Sequence, residues 1–264
     1  MRYMKRLIGH FRDLYKYRAL INALVVRGLK ARYRGSVLGF FWTFLNPLLL
    51  MLVYLLVFNV LMKNGMKNYS VFLFTGLLPW IWFSTALSDG VNAIVGGAGL
   101  ITKVLFPPQV LITVPVLVNM MNFIFSLPLL LLFMFFLKMP FGIAMVAIVP
   151  VIVIQLILIQ GIVLIISAVN VYFRDLQQIV SNFLLLGFFV TPVVYTLSQV
   201  PRSYLVIFYL NPMTLLVRSY QWIFYYNIFP NWQHLLYLLA GSIIILFIGV
   251  YIFEKLKEAF PEFI

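Results

Sequence analysis

The sequence predicts an all-α polytopic membrane protein with six transmembrane helices. Three observations carry that expectation. Hydrophobic residues make up 64% of the chain and charged ones only 9%, with a mean hydropathy of +1.06, whereas a soluble domain is about half apolar and about a quarter charged. The apolar residues come in runs, and a helix needs about 20 of them at about 1.5 Å each to cross the hydrocarbon. Ten of the 19 Lys and Arg residues lie before position 35, so the net charge of +13 is mostly a local feature of one end.

In chain order, residues 1–36 come first, as a basic amphipathic helix for the cytoplasmic interface. Leu14, Tyr17, Ile21, Leu24 and Val25 recur at helical spacing on one side, and Arg27, Lys30 and Arg34 on another. That pattern suits a helix lying among anionic headgroups. No apolar h-region precedes residue 30, so no cleaved signal peptide is expected. Residues 37–264 form the membrane domain, with spans expected at about 38–62, 69–91, 109–137, 141–171, 176–197 and 233–253. The third and fourth are long enough to tilt or project, and Pro115 and Pro128 are expected to kink the third.

Residues 92–108, NAIVGGAGLITKVLFPP, read as a short helix bracketed by glycines and prolines, held along the membrane with Lys103 towards water. Residues 198–232 hold two apolar runs too short to cross, divided at Asn211-Pro212, and are expected to be two short re-entrant helices between the fifth and sixth spans. Six crossings return the chain to its starting side. With the N-terminus inside, fourteen basic residues lie inside and five outside, which favours cytoplasmic N and C termini. No internal repeat of the kind common in secondary transporters is evident.

The absent chemistry is informative. The expected spans carry no charge away from their ends, which argues against proton-coupled carriers. A sodium-coupled or uncoupled carrier acting alone stays open, as does a membrane scaffold. No cysteine is present, so disulfides and thiolate metal sites are excluded. His10 and His234 stand alone in sequence, and no metal site is expected. No Walker A loop, catalytic triad or paired carboxylates occur. The chain is therefore expected not to be an enzyme and to have no catalytic residues; an energy source would sit on another chain. Although the pI is about 10.0, a nucleic-acid partner is not expected for a chain so largely in lipid.

Six stretches occur in one order: RYRGSVLGFFWTFLNP (32–47), FTGLLPWIWFSTAL (74–87), GLITKVLFPPQVL (99–111), VYFRDLQQIV (171–180), FFVTPVVY (188–195) and NPMTLLVRSYQ (211–221). Together they resemble the permease subunit of ABC type-2 exporters, within these the polysaccharide branch that exports O-antigen, capsule or teichoic acid chains. The resemblance covers nearly the whole chain. It implies a multi-pass protein of the bacterial cytoplasmic (inner) membrane, working as a homodimer with two copies of a separate ABC ATPase. ATP and Mg would bind on that partner, and this chain would carry no cofactor. The segment with Gly99, Leu100, Ile101, Lys103, Phe106 and Pro107 would be the helix that couples to the ATPase. The cargo would be an undecaprenyl-pyrophosphate-linked glycan; another lipid or a drug is the nearest alternative, since a fold does not fix a substrate.

With such a cargo, the crowding of cations and rings near residues 27–58 acquires a role. Arg27, Lys30, Arg32 and Arg34 are expected to recruit the diphosphate, arginine bidentately. Phe40, Trp42, Phe44, Tyr54 and Phe58 would line the first span, with Phe40/Phe44 and Tyr54/Phe58 each sharing a helix face. Phe189 and Tyr195, with Phe183 and Phe188, would add aromatic lining from the fifth. Aromatic faces suit sugar C–H surfaces.

Overall fold

The computed structural model describes residues 2–32, 34–63, 65–101 and 107–263. Among them there is no strand, as expected where lipid leaves backbone groups no outside partner.

The N-terminal segment is two helices rather than one: α1 (Arg2–Lys16) and α2 (Arg18–Arg32), parted at Tyr17. The predicted apolar stripe exists, but its partner is protein. Ile21 and Val25 are buried against Val110 and Val118, with Leu14, Tyr17 and Leu24 around them. The basic stripe is shorter than expected, because α2 ends at Arg32 and Arg34 lies in the turn that follows.

The first crossing begins with a 3-10 turn at Gly39–Phe41, continues as α3 (Trp42–Leu55) and ends in a π-helical stretch, Leu56–Leu61. α3 buries only Thr43, Pro47 and Met51, which are four apart and form one stripe. α4 (Tyr69–Val91) is the opposite case, enclosed on nearly all sides and central to the bundle. Pro79 lies inside it, and Gln155 Nε2 reaches across from the fourth crossing to the Pro79 carbonyl at 2.9 Å. Two short turns, α5 (Ala93–Gly96) and α6 (Ala98–Ile101), lead towards α7 (Gln109–Phe136), which carries Pro115 and Pro128 without interruption. A 3-10 turn at Ile143–Ala147 feeds α8 (Ile148–Tyr172).

The expected fifth span, 176–197, is helical only in its first part. Its helix, α9 (Leu176–Phe189), stops after 14 residues, about 21 Å at 1.5 Å each, short of a hydrocarbon core of about 30 Å. The chain then breaks at Thr191-Pro192 and folds inward, with residues 191–194 all buried. Irregular backbone is tolerated at membrane depth only where protein satisfies it, and side chains do so here. Gln221 Nε2 donates to the Pro192 carbonyl at 2.9 Å, and the Tyr69 hydroxyl to that of Val194 at 2.8 Å. Asn211 Nδ2 donates to Thr191 Oγ1 at 2.9 Å. Among the described residues, five helical stretches are long and apolar enough to cross a membrane, and α9 is a shorter apolar helix beside them.

Two short helices follow, α10 (Leu205–Leu210) and α11 (Pro212–Phe224), separated at Asn211-Pro212. Asn211 caps α11 by accepting from the Met213 N–H at 3.0 Å, with Pro212 in the first turn, a favoured helix start. α12 (Trp232–Leu256) packs along α8, and α13 (Phe260–Phe263) ends the described chain.

At one end of the bundle the termini meet. His10 on α1 is buried with its Nδ1 3.5 Å from Glu254 near the end of α12, and Lys257 Nζ lies 2.7 Å from the same carboxylate. Gln109 at the start of α7 donates to Asp13 of α1 at 3.2 Å. The N-terminal helices, the start of α7 and the C-terminal end of α12 therefore share one end of the molecule.

Candidate functional site

α2 runs into the bundle at Arg32. From there a cavity of about 460 Å³ opens between the first half of α3, the second half of α4 and the middle of α7. Its mouth is set by a closed polar cluster. Arg32 donates from Nη2 to Asp89 Oδ2 at 2.7 Å and from Nη1 to Asn119 Oδ1 at 3.0 Å. Asn119 Nδ2 donates to the same Asp89 oxygen at 2.8 Å and to the Pro115 carbonyl at 2.9 Å. Three elements are thus joined by one cation, one anion and one amide. The guanidinium fork offers two donors side by side, and the carboxylate is held on two sides by charge-assisted and amide bonds.

Ser36 and Trp42 form the next layer, with Trp42 Nε1 donating to Ser36 Oγ at 2.9 Å. Deeper in the wall are Thr43, Asn46, Thr85, Asn119, Asn122 and Ser126, alongside Trp82 and Phe123, whose rings stack at 5.1 Å. Among the described residues, Arg32 is the one ionisable residue of the lining.

The predicted cations separate. Arg32 is engaged at the mouth, whereas Arg27, Lys30 and Arg34 are exposed. They surround the same end of α2 but do not share one helix face, because the helix ends before Arg34.

The predicted aromatics form two groups. Phe40, Trp42 and Phe44 lie at the start of the first crossing. Phe40 packs edge-on against Phe44 at 5.6 Å and against Phe125 of α7 at 5.4 Å, and Trp42 lines the cavity. Tyr54 and Phe58 lie one helix end away. Tyr54 stacks on Phe188 of α9 at 5.1 Å, and Phe188 meets Trp80 at 5.8 Å. Phe189 is exposed, and its carbonyl accepts from the Tyr195 hydroxyl. Aromatic rings therefore tie α3 to α7 at one level and to α9 and α4 at another.

Of the segment after α4, Gly99 is exposed with open space around it. Leu100 and Ile101 belong to α6, while Lys103 and Phe106 lie outside the described residues. Pro107 sits at the entry to α7, its carbonyl accepting from the Val110 N–H at 3.0 Å. The described part of this segment forms the two turns α5 and α6, and residues 102–106 of the expected helix lie outside the described residues. Ile94 is buried between them and the bundle, and Asn92 accepts from Asn170 of α8 at 3.2 Å.

Sequence reasoning missed Asp89, Asn119, Asn122 and Trp82. A search of the spans for charges passes over neutral amides, yet Asn119 and Asn122 stand three apart in an otherwise apolar run, which places them on one face of α7. No group of His, Asp or Glu able to hold a metal occurs among the described residues.

Comparison with known proteins adds a family. The sequence profile described as ABC-2 type transporter matches residues 19–225. The chain is 49% identical over 259 residues to the O-antigen export system permease protein RfbA of Myxococcus xanthus, covering 95% of this chain and 97% of that one. It is 33% identical over 252 residues to the RfbA protein of Klebsiella pneumoniae, covering 94% and 97%. It is also 26% identical over 242 residues to the polysialic acid transport protein KpsM of Escherichia coli, covering 90% and 94%.

Proposed function

The chain belongs to the ABC-2 type transporter family, and on that premise we propose that it is the membrane-spanning permease of an ATP-driven polysaccharide exporter in the bacterial inner membrane. Its cargo in this reading is an O-antigen-like glycan carried on undecaprenyl pyrophosphate. The observation that carries the reading is a juxtaposition. Exposed cations surround the end of α2 beside a polar, ring-lined cavity, in a chain whose relative at 49% identity is an O-antigen export permease.

The division of labour follows. This chain has no phosphate-binding loop of its own, so ATP and Mg bind on a separate ABC ATPase, two copies per transporter. Residues 99–107 form the contact that receives its motion. Pro107 leads into α7, whose start shares an end of the bundle with α1 and the end of α12, an end that this reading places in the cytoplasm. A second copy of the chain completes the pathway. α3 and α9 each bury a single stripe and leave the rest of their apolar surface bare, surface that lipid and the second copy would share.

Recruitment begins electrostatically. Arg27, Lys30 and Arg34 present donors to a diphosphate at the headgroup level, while Arg32 holds the mouth of the cavity. The aromatic groups then offer faces to sugars along α3 and α9. The triple variant R27Q/K30Q/R34Q is expected to insert normally and to lower surface polysaccharide by at least about tenfold, since even one bond to a charged group contributes about 1.5–3 kcal/mol. Lipid-linked glycan would accumulate inside the cell. The measurement is quantitative surface-glycan blotting beside membrane yield. Full export by the triple variant would remove the recruitment role.

A further inference from the structure

The cavity beneath Arg32 carries polar groups that no described residue meets. Trp82 is 1% exposed, yet its Nε1–H has no acceptor among the described residues. Both the Oδ1 and Nδ2 atoms of Asn122 are shielded from solvent and equally without a partner. Buried polar groups are overwhelmingly hydrogen-bonded, so each such orphan calls for an explanation. Two orphans from different helices line the same cavity.

The chemistry of the wall narrows what fits. The volume of about 460 Å³ falls within the range of about 300–1,000 Å³ found for small-molecule sites. An acyl chain would leave the Trp82 donor and the Asn122 carboxamide unmet, since hydrocarbon cannot hydrogen-bond. An anion would find no free cation among the described lining residues, of which Arg32 is the one that ionises, and Arg32 is already bound to Asp89. A neutral ring bearing hydroxyls meets every requirement. Its oxygens could accept from Trp82 and Asn122, its hydroxyls could donate to Asn122 Oδ1, and its C–H face would suit the aromatic wall that Trp82 and Phe123 form.

We propose that this cavity is a binding site for a single uncharged sugar ring, entered from the interfacial end under Arg32. The proposal deepens the export reading and rests on it for the identity of the sugar as part of the cargo. The site lies within one protomer, between α3, α4 and α7.

The test is equilibrium photolabelling of the full-length chain in lipid nanodiscs without ATP, using octyl β-glucoside bearing a diazirine on the sugar. Labelled peptides are expected to include residues 78–85 and 119–126. Unlabelled octyl β-glucoside should compete at least tenfold better than octanol or octyl phosphate. Trp82→Phe, which keeps the ring and removes the N–H, and Asn122→Leu should each weaken labelling by about two- to tenfold, the range for one or two lost hydrogen bonds. Trp232→Phe, outside the cavity, should leave it unchanged. Using two variants on different helices guards against one of them failing to fold. Equal competition by octanol would show a lipid-chain groove, and better competition by octyl phosphate an anion site. Labelling unchanged in both variants would place the glycoside outside this cavity. Each of these three results overturns the proposal. Because no ATP is present, loss of glycoside binding with normal export fails this site alone, whereas loss of polysaccharide export from unaltered protein would fail the broader reading.

Discussion

Replacing Gly161 by leucine is expected to abolish accumulation of folded protein in the membrane. Gly161 on α8 faces α12 at backbone distance. A Cβ added there would lie 2.7 Å from the Leu246 nitrogen and 2.8 Å from its Cα, and one added at Gly249 would lie 2.4 Å from the Gly161 carbonyl oxygen. In lipid no hydrophobic force draws two apolar helices together, so association depends on close van der Waals packing at small residues. The crossing of α8 and α12 also positions what lies on either side of it, Leu158 and Leu164 on α8 and Val250 and Phe253 on α12, all buried. A methyl group would have to push backbone, which cannot swing aside as a side chain can. Gly161→Ala is therefore expected to cost about 1–3 kcal/mol and to lower the Tm by several degrees in detergent. The leucine variant should be degraded before insertion is complete. Membrane yield and fluorescence-detected size exclusion measure both; a leucine variant as abundant and as stable as the parent would mean that the two helices do not meet at this glycine.

Reversing one charge at the cavity mouth is expected to reduce export by at least tenfold, and reversing both to restore most of it. Arg32 and Asp89 are partly exposed, their side chains 33% and 43% accessible. Such a pair contributes only about 0–1 kcal/mol to stability by itself. Its importance is positional, because with Asn119 it fixes the end of α2 to α4 and α7. R32E or D89R places like charges where opposite ones now touch at 2.7 Å, which would drive α2 away from the mouth. The double variant R32E/D89R regains the attraction. If Arg32 instead serves chiefly as a cation for the cargo's phosphates, the double variant stays as inactive as R32E. Export assayed in the three variants at matched membrane levels separates the two roles.

The long helices were legible because their signal is local. The apolar run at 69–91 sits between Lys67, Asn68 and Asn92, and α4 occupies Tyr69–Val91. The run at 109–137 follows two prolines, and α7 occupies Gln109–Phe136. The division at Asn211-Pro212 could be read because asparagine caps and proline starts a helix. What escaped depends on tertiary partners. The stretch 176–197 reads as one apolar span, and nothing in its own residues announces that Gln221, Tyr69 and Asn211 will donate to backbone carbonyls after Phe189. The split at Tyr17 is invisible to a helical period that continues through it. The neighbours of Arg32 in sequence suggest recruitment of a phosphate, and nothing local reveals its observed partner Asp89, 57 residues away. Trp82 and Asn122 looked like one more ring and one more neutral amide until burial showed them without partners.

The central claim is that this chain transports only with energy from a second protein. Gentle purification from native membranes, followed by quantitative mass spectrometry and assay in proteoliposomes, tests it most directly. The account predicts an ABC ATPase at one copy per permease, lost when residues 99–107 are scrambled, and glycan transport that requires ATP. A chain that isolates alone and moves its cargo without ATP would contradict it.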